Sequence, residues 1–81
     1  MVVGDSLVMS SKNKNHLGFG VCAYASMKGV VDEIYSNGGF AVKLDGGGSL
    51  VVPLVIKGRR KKVHVYLNGV GTWIRGKREK R

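Results

Sequence analysis

Thirteen of the 81 residues are glycine, and between them lie short runs of Val, Leu, Ile, Tyr and Phe. Glycine weakens helix interiors and permits tight turns. A chain punctuated in this way favours short strands joined by turns, about five to seven of them. A meander so short leaves two raw sheet edges unless it curls into a small barrel. The expected fold is therefore all-β, one small barrel of short antiparallel strands over residues 1–76. Residues 77–81 form a basic tail that frays. A second core would leave too few residues for either.

Residues 2–9 read as the first strand, with a Gly4-Asp5 turn early in it, and residues 10–16 as a polar loop. Residues 17–27 are apolar but interrupted by Gly18 and Gly20, which fits an irregular strand or the limb of a long loop better than a short helix over 22–27. Residues 28–35 and 40–44 form a hairpin about Asn37-Gly38. A four-residue turn there pairs Tyr35 with Phe40, Glu33 with Val42, Val31 with Leu44, and Asp32 with Lys43 as a cross-strand ion pair. Residues 45–49 turn the chain into a strand over 50–56, setting Leu44 against Leu50, Val42 against Val52 and Phe40 against Leu54. Pro53 has no N–H to give and requires an edge or a bulge.

Charge is distributed unevenly. Residues 1–56 are balanced, whereas residues 57–81 hold ten cations against Glu79 alone, which is the whole of the net +9. Such a block points to an anionic partner, above all nucleic acid. Lys57, Arg59, Arg60, Lys61 and Lys62 form a basic connector whose like charges repel unless an anion is bound, and a phosphate-contacting loop is favoured over a merely solvated one. A nuclear-localisation run has the same composition.

The last hairpin, strands 63–67 and 72–75 about a turn at 68–71, sets Leu67 opposite Thr72, Tyr66 opposite Trp73, Val65 opposite Ile74 and His64 opposite Arg75. One face then carries Val65 and Ile74 for the core. The other carries His64, Tyr66, Trp73 and Arg75, aromatic and basic groups together, as in a platform on which bases stack. The competing reading, that Tyr66 and Trp73 only cap the core, is equally balanced. Lys77, Arg78, Lys80 and Arg81 add cations beyond this strand.

Other chemistry finds little footing. Gly46-Gly47-Gly48 lacks the Lys-Ser/Thr of a phosphate loop and reads as a hairpin turn. His16 and His64 have no Cys or carboxylate cluster about them, so no metal or cofactor is expected. Cys22 reads as a small core residue. Asp32 and Glu33 are adjacent on a strand and point to opposite faces, unsuited to paired acid–base work. The chain is expected not to be an enzyme. No apolar run reaches the roughly 20 residues of a membrane span, the start lacks a basic leader, and one cysteine suits a reducing compartment, which leads to a cytoplasmic protein, or one at the nucleus or nucleoid.

The segments Gly4-Asp5-Ser6-Leu7-Val8-Met9, Lys28-Gly29-Val30-Val31-Asp32-Glu33-Ile34 and Phe40-Ala41-Val42-Lys43-Leu44-Asp45-Gly46-Gly47 together resemble SH3-like barrels of the KOW type, over about residues 4–56. In such barrels a Gly-Asp opens the first strand, a Lys-Gly-x-Val opens a middle strand, and a hairpin follows. The gap from Gly4-Asp5 to Lys28-Gly29 is longer here than in that motif. The resemblance implies a barrel and RNA or DNA as partner, and it assigns no individual binding residue.

The sequence thus leads to a non-enzymatic nucleic-acid-binding domain of modest sequence specificity. Its site residues are Lys57, Arg59, Arg60, Lys61, Lys62, His64, Tyr66, Trp73, Arg75, Lys77 and Arg78. RNA and DNA remain equal candidates. The alternative is a protein-interaction module, adaptor or inhibitor, that takes an acidic partner or peptide. An exposed edge also admits a homodimer.

Overall fold

A computed structural model describes residues 1–13 and 26–77. It is all-β, with eight strands and one 3-10 turn among those residues. The strands are β1 (Ser6–Met9), β2 (Lys28–Ile34), β3 (Phe40–Leu44), β4 (Ser49–Val52), β5 (Val55–Ile56), β6 (Arg59–Arg60), β7 (Lys62–Leu67) and β8 (Val70–Arg75). Six of them form one antiparallel sheet in the order β4-β3-β2-β1-β7-β8, and β5 pairs with β6 in a small second sheet. Two strands of only two residues bring the count above the five to seven expected.

Alternation places the core. Leu7 and Met9 of β1, Val31 of β2, Phe40 and Val42 of β3, Leu50 and Val52 of β4, and Val63 and Val65 of β7 all turn inward, and Leu54 joins them. Residues from nearly every strand of one sheet can share a cluster only if the sheet curls round it. No ladder joins the end strands β4 and β8. Contact is made beyond them instead. The Lys61 N–H donates to the Leu54 carbonyl at 2.6 Å, the Gly76 N–H to the Lys61 carbonyl at 3.2 Å, and the Lys77 N–H to the Asn37 carbonyl at 3.1 Å. A Cβ on Gly76 would run into the carbonyl oxygen of Leu54 and lie 2.6 Å from its Cβ. A glycine is required for the end of β8 to lie so close to the 54 segment.

Several expected registers change. Ile34, not Tyr35, faces Phe40, because the turn begins one residue sooner, with the Tyr35 N–H on the Gly39 carbonyl at 2.8 Å, and beyond a bulge in β2 between Val31 and Glu33 Val31 faces Val42. The extra residue is Asp32, so the Asp32–Lys43 pair does not form, and Lys43 faces Val30. Bulges add one residue to one strand and shift everything beyond them. In the next hairpin Phe40 faces Val52 and Val42 faces Leu50, two residues from the expected pairing. The turn is tighter than a five-residue one, with Leu44 donating to the Gly48 carbonyl at 3.1 Å. A shift of two preserves faces, so apolar still meets apolar. The expected strand 50–56 is broken at Pro53 into β4 and β5.

The first strand is shorter than expected. Residues 2–5 form a turn, with the Asp5 N–H on the Val2 carbonyl at 3.2 Å and the Val2 N–H on Asp5 Oδ2 at 2.9 Å. The loop after β1 contains a 3-10 turn, Ser11–Asn13. Most of the expected segment 17–27, and Arg78, Lys80 and Arg81, lie outside the described residues. No described helix is long and apolar enough to cross a membrane.

Candidate functional site

The basic run is a hairpin rather than a connector. Val55 pairs with Arg60 and Ile56 with Arg59 across a two-residue turn. Lys57 and Gly58 both take positive φ there, 53° and 75°. That is the turn whose twist matches a tight hairpin, and it presents Lys57 at the tip. Lys62 opens β7. The backbone of Lys61 ties the Leu54 segment to the end of β8, and its side chain is half-buried, while those of Lys57, Arg59, Arg60 and Lys62 are exposed. No acidic residue occurs between residues 46 and 78, so no carboxylate lies close to the hairpin along the chain.

The following hairpin turns more tightly than expected. Asn68 and Gly69, at φ 51° and 83°, make the whole turn. Leu67 therefore faces Val70, Tyr66 faces Gly71, His64 faces Trp73 and Lys62 faces Arg75. The partners differ from those expected by two residues, but the faces do not. Val63 and Val65 enter the core, and Lys62, His64, Tyr66, Trp73 and Arg75 share the outer face.

On that face the three rings play different parts. Trp73 is 50% exposed. His64, expected at the surface, is only 7% exposed. Its ring lies under Trp73, with centroids 4.6 Å apart and planes at 31°, and meets Tyr66 edge-on at 5.1 Å. Its Nδ1 lies 3.2 Å from Ser10 Oγ. Gly71 leaves the room for this packing. A Cβ there would lie 3.0 Å from His64 Nε2 and 3.3 Å from Tyr66 Cε1. His64 thus supports Trp73 from beneath and offers little exposed surface of its own.

Beneath His64 is a residue that the sequence did not single out. Asn13 is fully buried. Its Nδ2 donates to the His64 carbonyl at 2.7 Å, and its Oδ1 accepts from the His64 N–H at 2.6 Å. Strand β1 stops at Met9, opposite Val65; Asn13 Oδ1 supplies the acceptor that a longer β1 would have given the His64 N–H, and Asn13 Nδ2 joins the Ser10 N–H on the His64 carbonyl. The only signal for it is an Asn in a polar stretch, a residue type that often bonds to backbone.

The two hairpins meet at their cationic ends. Gly58, Arg59, Arg60 and Arg75 line one open cleft of about 320 Å³. Arg75 stands two residues from Trp73 on the same strand face, about 7 Å along it. Of the expected site residues the fold therefore gathers Arg59, Arg60 and Arg75 in the cleft, with Lys62 across from Arg75 and Trp73 beside it. Lys77 is exposed at the end of β8. Guanidinium groups can grip an anion in bidentate fashion, and an exposed indole offers a flat face for a planar ring.

Among the described residues no group of three or more His, Cys, Asp or Glu could hold a metal ion. The chain matches no protein-family model, no curated protein and no solved structure.

Proposed function

We propose that the protein is a nucleic-acid-binding domain that takes a single strand, RNA or DNA, without catalysis. The observation that carries this reading is the adjacency of the Arg59–Arg60–Arg75 cleft to the half-exposed Trp73. Phosphates lie at the arginines, with Lys57, Lys62 and Lys77 adding cations along the backbone's path, and a base stacks on the exposed part of the indole. Bases inside a duplex are already stacked, so the indole selects an unpaired base. Among the described residues no helix is placed to read a groove edge, and sequence preference is modest. The antiparallel sheet of a small all-β domain is the scaffold this reading requires. Abundant cation and a single cysteine suit an intracellular role close to nucleic acid.

A second reading rests on β4. This strand ends the sheet, and its Val51 is 54% exposed. An acidic peptide added as a strand at that edge would make the protein an interaction module.

Trp73→Ala separates the two. Measured by anisotropy with a labelled single strand, it should weaken binding by roughly 1–3 kcal/mol if bases stack on it. Unchanged affinity in a folded variant would remove the stacking site. Failure of the wild type to bind any nucleic acid at about 50 mM salt, where electrostatic affinity is large, would remove the nucleic-acid reading altogether.

A further inference from the structure

The outer face of the sheet holds a second concavity, away from the arginine cleft. It is a groove of about 190 Å³, lined among others by Ser6, Val8, Lys28, Asp45, Tyr66 and Asn68. Strand register explains why these residues meet. Lys28 faces Val8, Val8 faces Tyr66, and Tyr66 faces Gly71, so one row crosses four strands. Tyr66 belongs to both places. Its ring lines the groove and also touches the His64 ring that carries Trp73.

The chemistry of the groove differs from that of the cleft. Lys28 is accompanied by Asp45, whose N–H donates to the Lys28 carbonyl at 3.0 Å and holds the two together. The pair balances in charge, so phosphate gains little here. Val8 and Tyr66 supply an apolar wall, and the Ser6 hydroxyl and Asn68 amide supply both donors and acceptors. A site of this volume is smaller than the roughly 300–1,000 Å³ of pockets for drug-sized ligands. An uncharged heterocycle with mixed hydrogen-bonding edges fits that description.

Resting on the nucleic-acid reading above, we infer that this groove is a base subsite for the same single strand whose phosphates lie at Arg59, Arg60 and Arg75. From the level of Arg75 to that of Gly71 is four residues along β8, and from β8 to β2 is three strand spacings, together about 20 Å. That length corresponds to a strand of about four nucleotides, the lower end of the site sizes found for small β domains. The strand crosses Trp73 and Tyr66 and places its last base in the groove.

The test uses the whole chain and labelled single strands of two and six nucleotides. Ser6→Ala with Asn68→Gly removes the neutral polar groups, and glycine tolerates the positive φ of position 68. The double variant should bind the hexamer about 3- to 10-fold more weakly. It should bind the dinucleotide as the wild type does, and its melting temperature reports whether it is folded. Equal hexamer affinity in a folded variant overturns the subsite. So does a hexamer salt slope that falls by about 0.7 in Lys28→Ala, because that marks a phosphate contact. If the wild type binds neither length, the subsite and the nucleic-acid reading both fail. If it binds the dinucleotide as tightly as the hexamer, only the subsite fails.

Discussion

Asn13, His64 and Trp73 form a column that runs from a buried amide to an exposed indole. Asn13 fixes the backbone of His64, and the His64 ring carries Trp73. Among the described residues no buried side-chain polar atom lacks a partner, and much of that satisfaction lies in this column. Asn13→Ala leaves the His64 N–H without its acceptor and the His64 carbonyl with only the longer bond from the Ser10 N–H. The expected loss is about 2–3 kcal/mol of unfolding free energy in a urea titration. Lys12→Ala, at an exposed neighbour, should stay within about 0.5 kcal/mol. Strand alternation set Trp73 opposite the core face but left its exposure evenly balanced against a core-capping role, and the indole is half exposed. The burial of His64 was not legible, because Ser10 and Asn13 reach it from 54 and 51 residues away. Alternation says which way a side chain points and cannot say what lies over it.

At the level of elements, hairpins were readable and their registers were not. Strands β7 and β8 pair through Asn68-Gly69 alone, a turn of the type that favours Asn-Gly, and the extension to 71 moved each partner by two. Since side chains repeat every two residues along a strand, the core and outer faces survived that error. The one-residue change at the turn before β3 and the bulge at Asp32 have no such protection, and they cancelled the expected pair with Lys43. The basic run looked like a connector because its cations mask strand character. Its Lys57-Gly58 turn and the break at Pro53 make it the hairpin that completes the cleft. The least legible contact is the closure at Gly76. Gly76→Ala sets a Cβ against the backbone of Leu54 and should destabilise the domain by at least about 1–3 kcal/mol. The measurement is thermal unfolding, with Lys77→Ala as a nearby control. A melting temperature equal to the wild type's would show that the end of β8 is free to move aside.

For the molecule as a whole, the fold turns an asymmetry along the chain into one in space. Residues 1–56 are neutral and furnish most of the core, and the +9 of residues 57–81 begins where β6 and β7 leave it. The two hairpins that carry this charge bring Arg59, Arg60 and Arg75 to one cleft beside one exposed indole. The all-β class followed from glycine spacing and short apolar runs. The meeting of residues 59–60 with residue 75 depends on curvature, which sequence spacing does not specify. The central claim is that this cleft binds the phosphates of a single strand, and the salt dependence of binding tests it most directly. Contact with about four phosphates predicts a slope of log K against log salt near −3 for the wild type. Replacing Arg59, Arg60 and Arg75 together with Gln should reduce its magnitude by about 2. An unchanged slope in the folded triple variant, or binding by the wild type that does not depend on salt, would contradict the account.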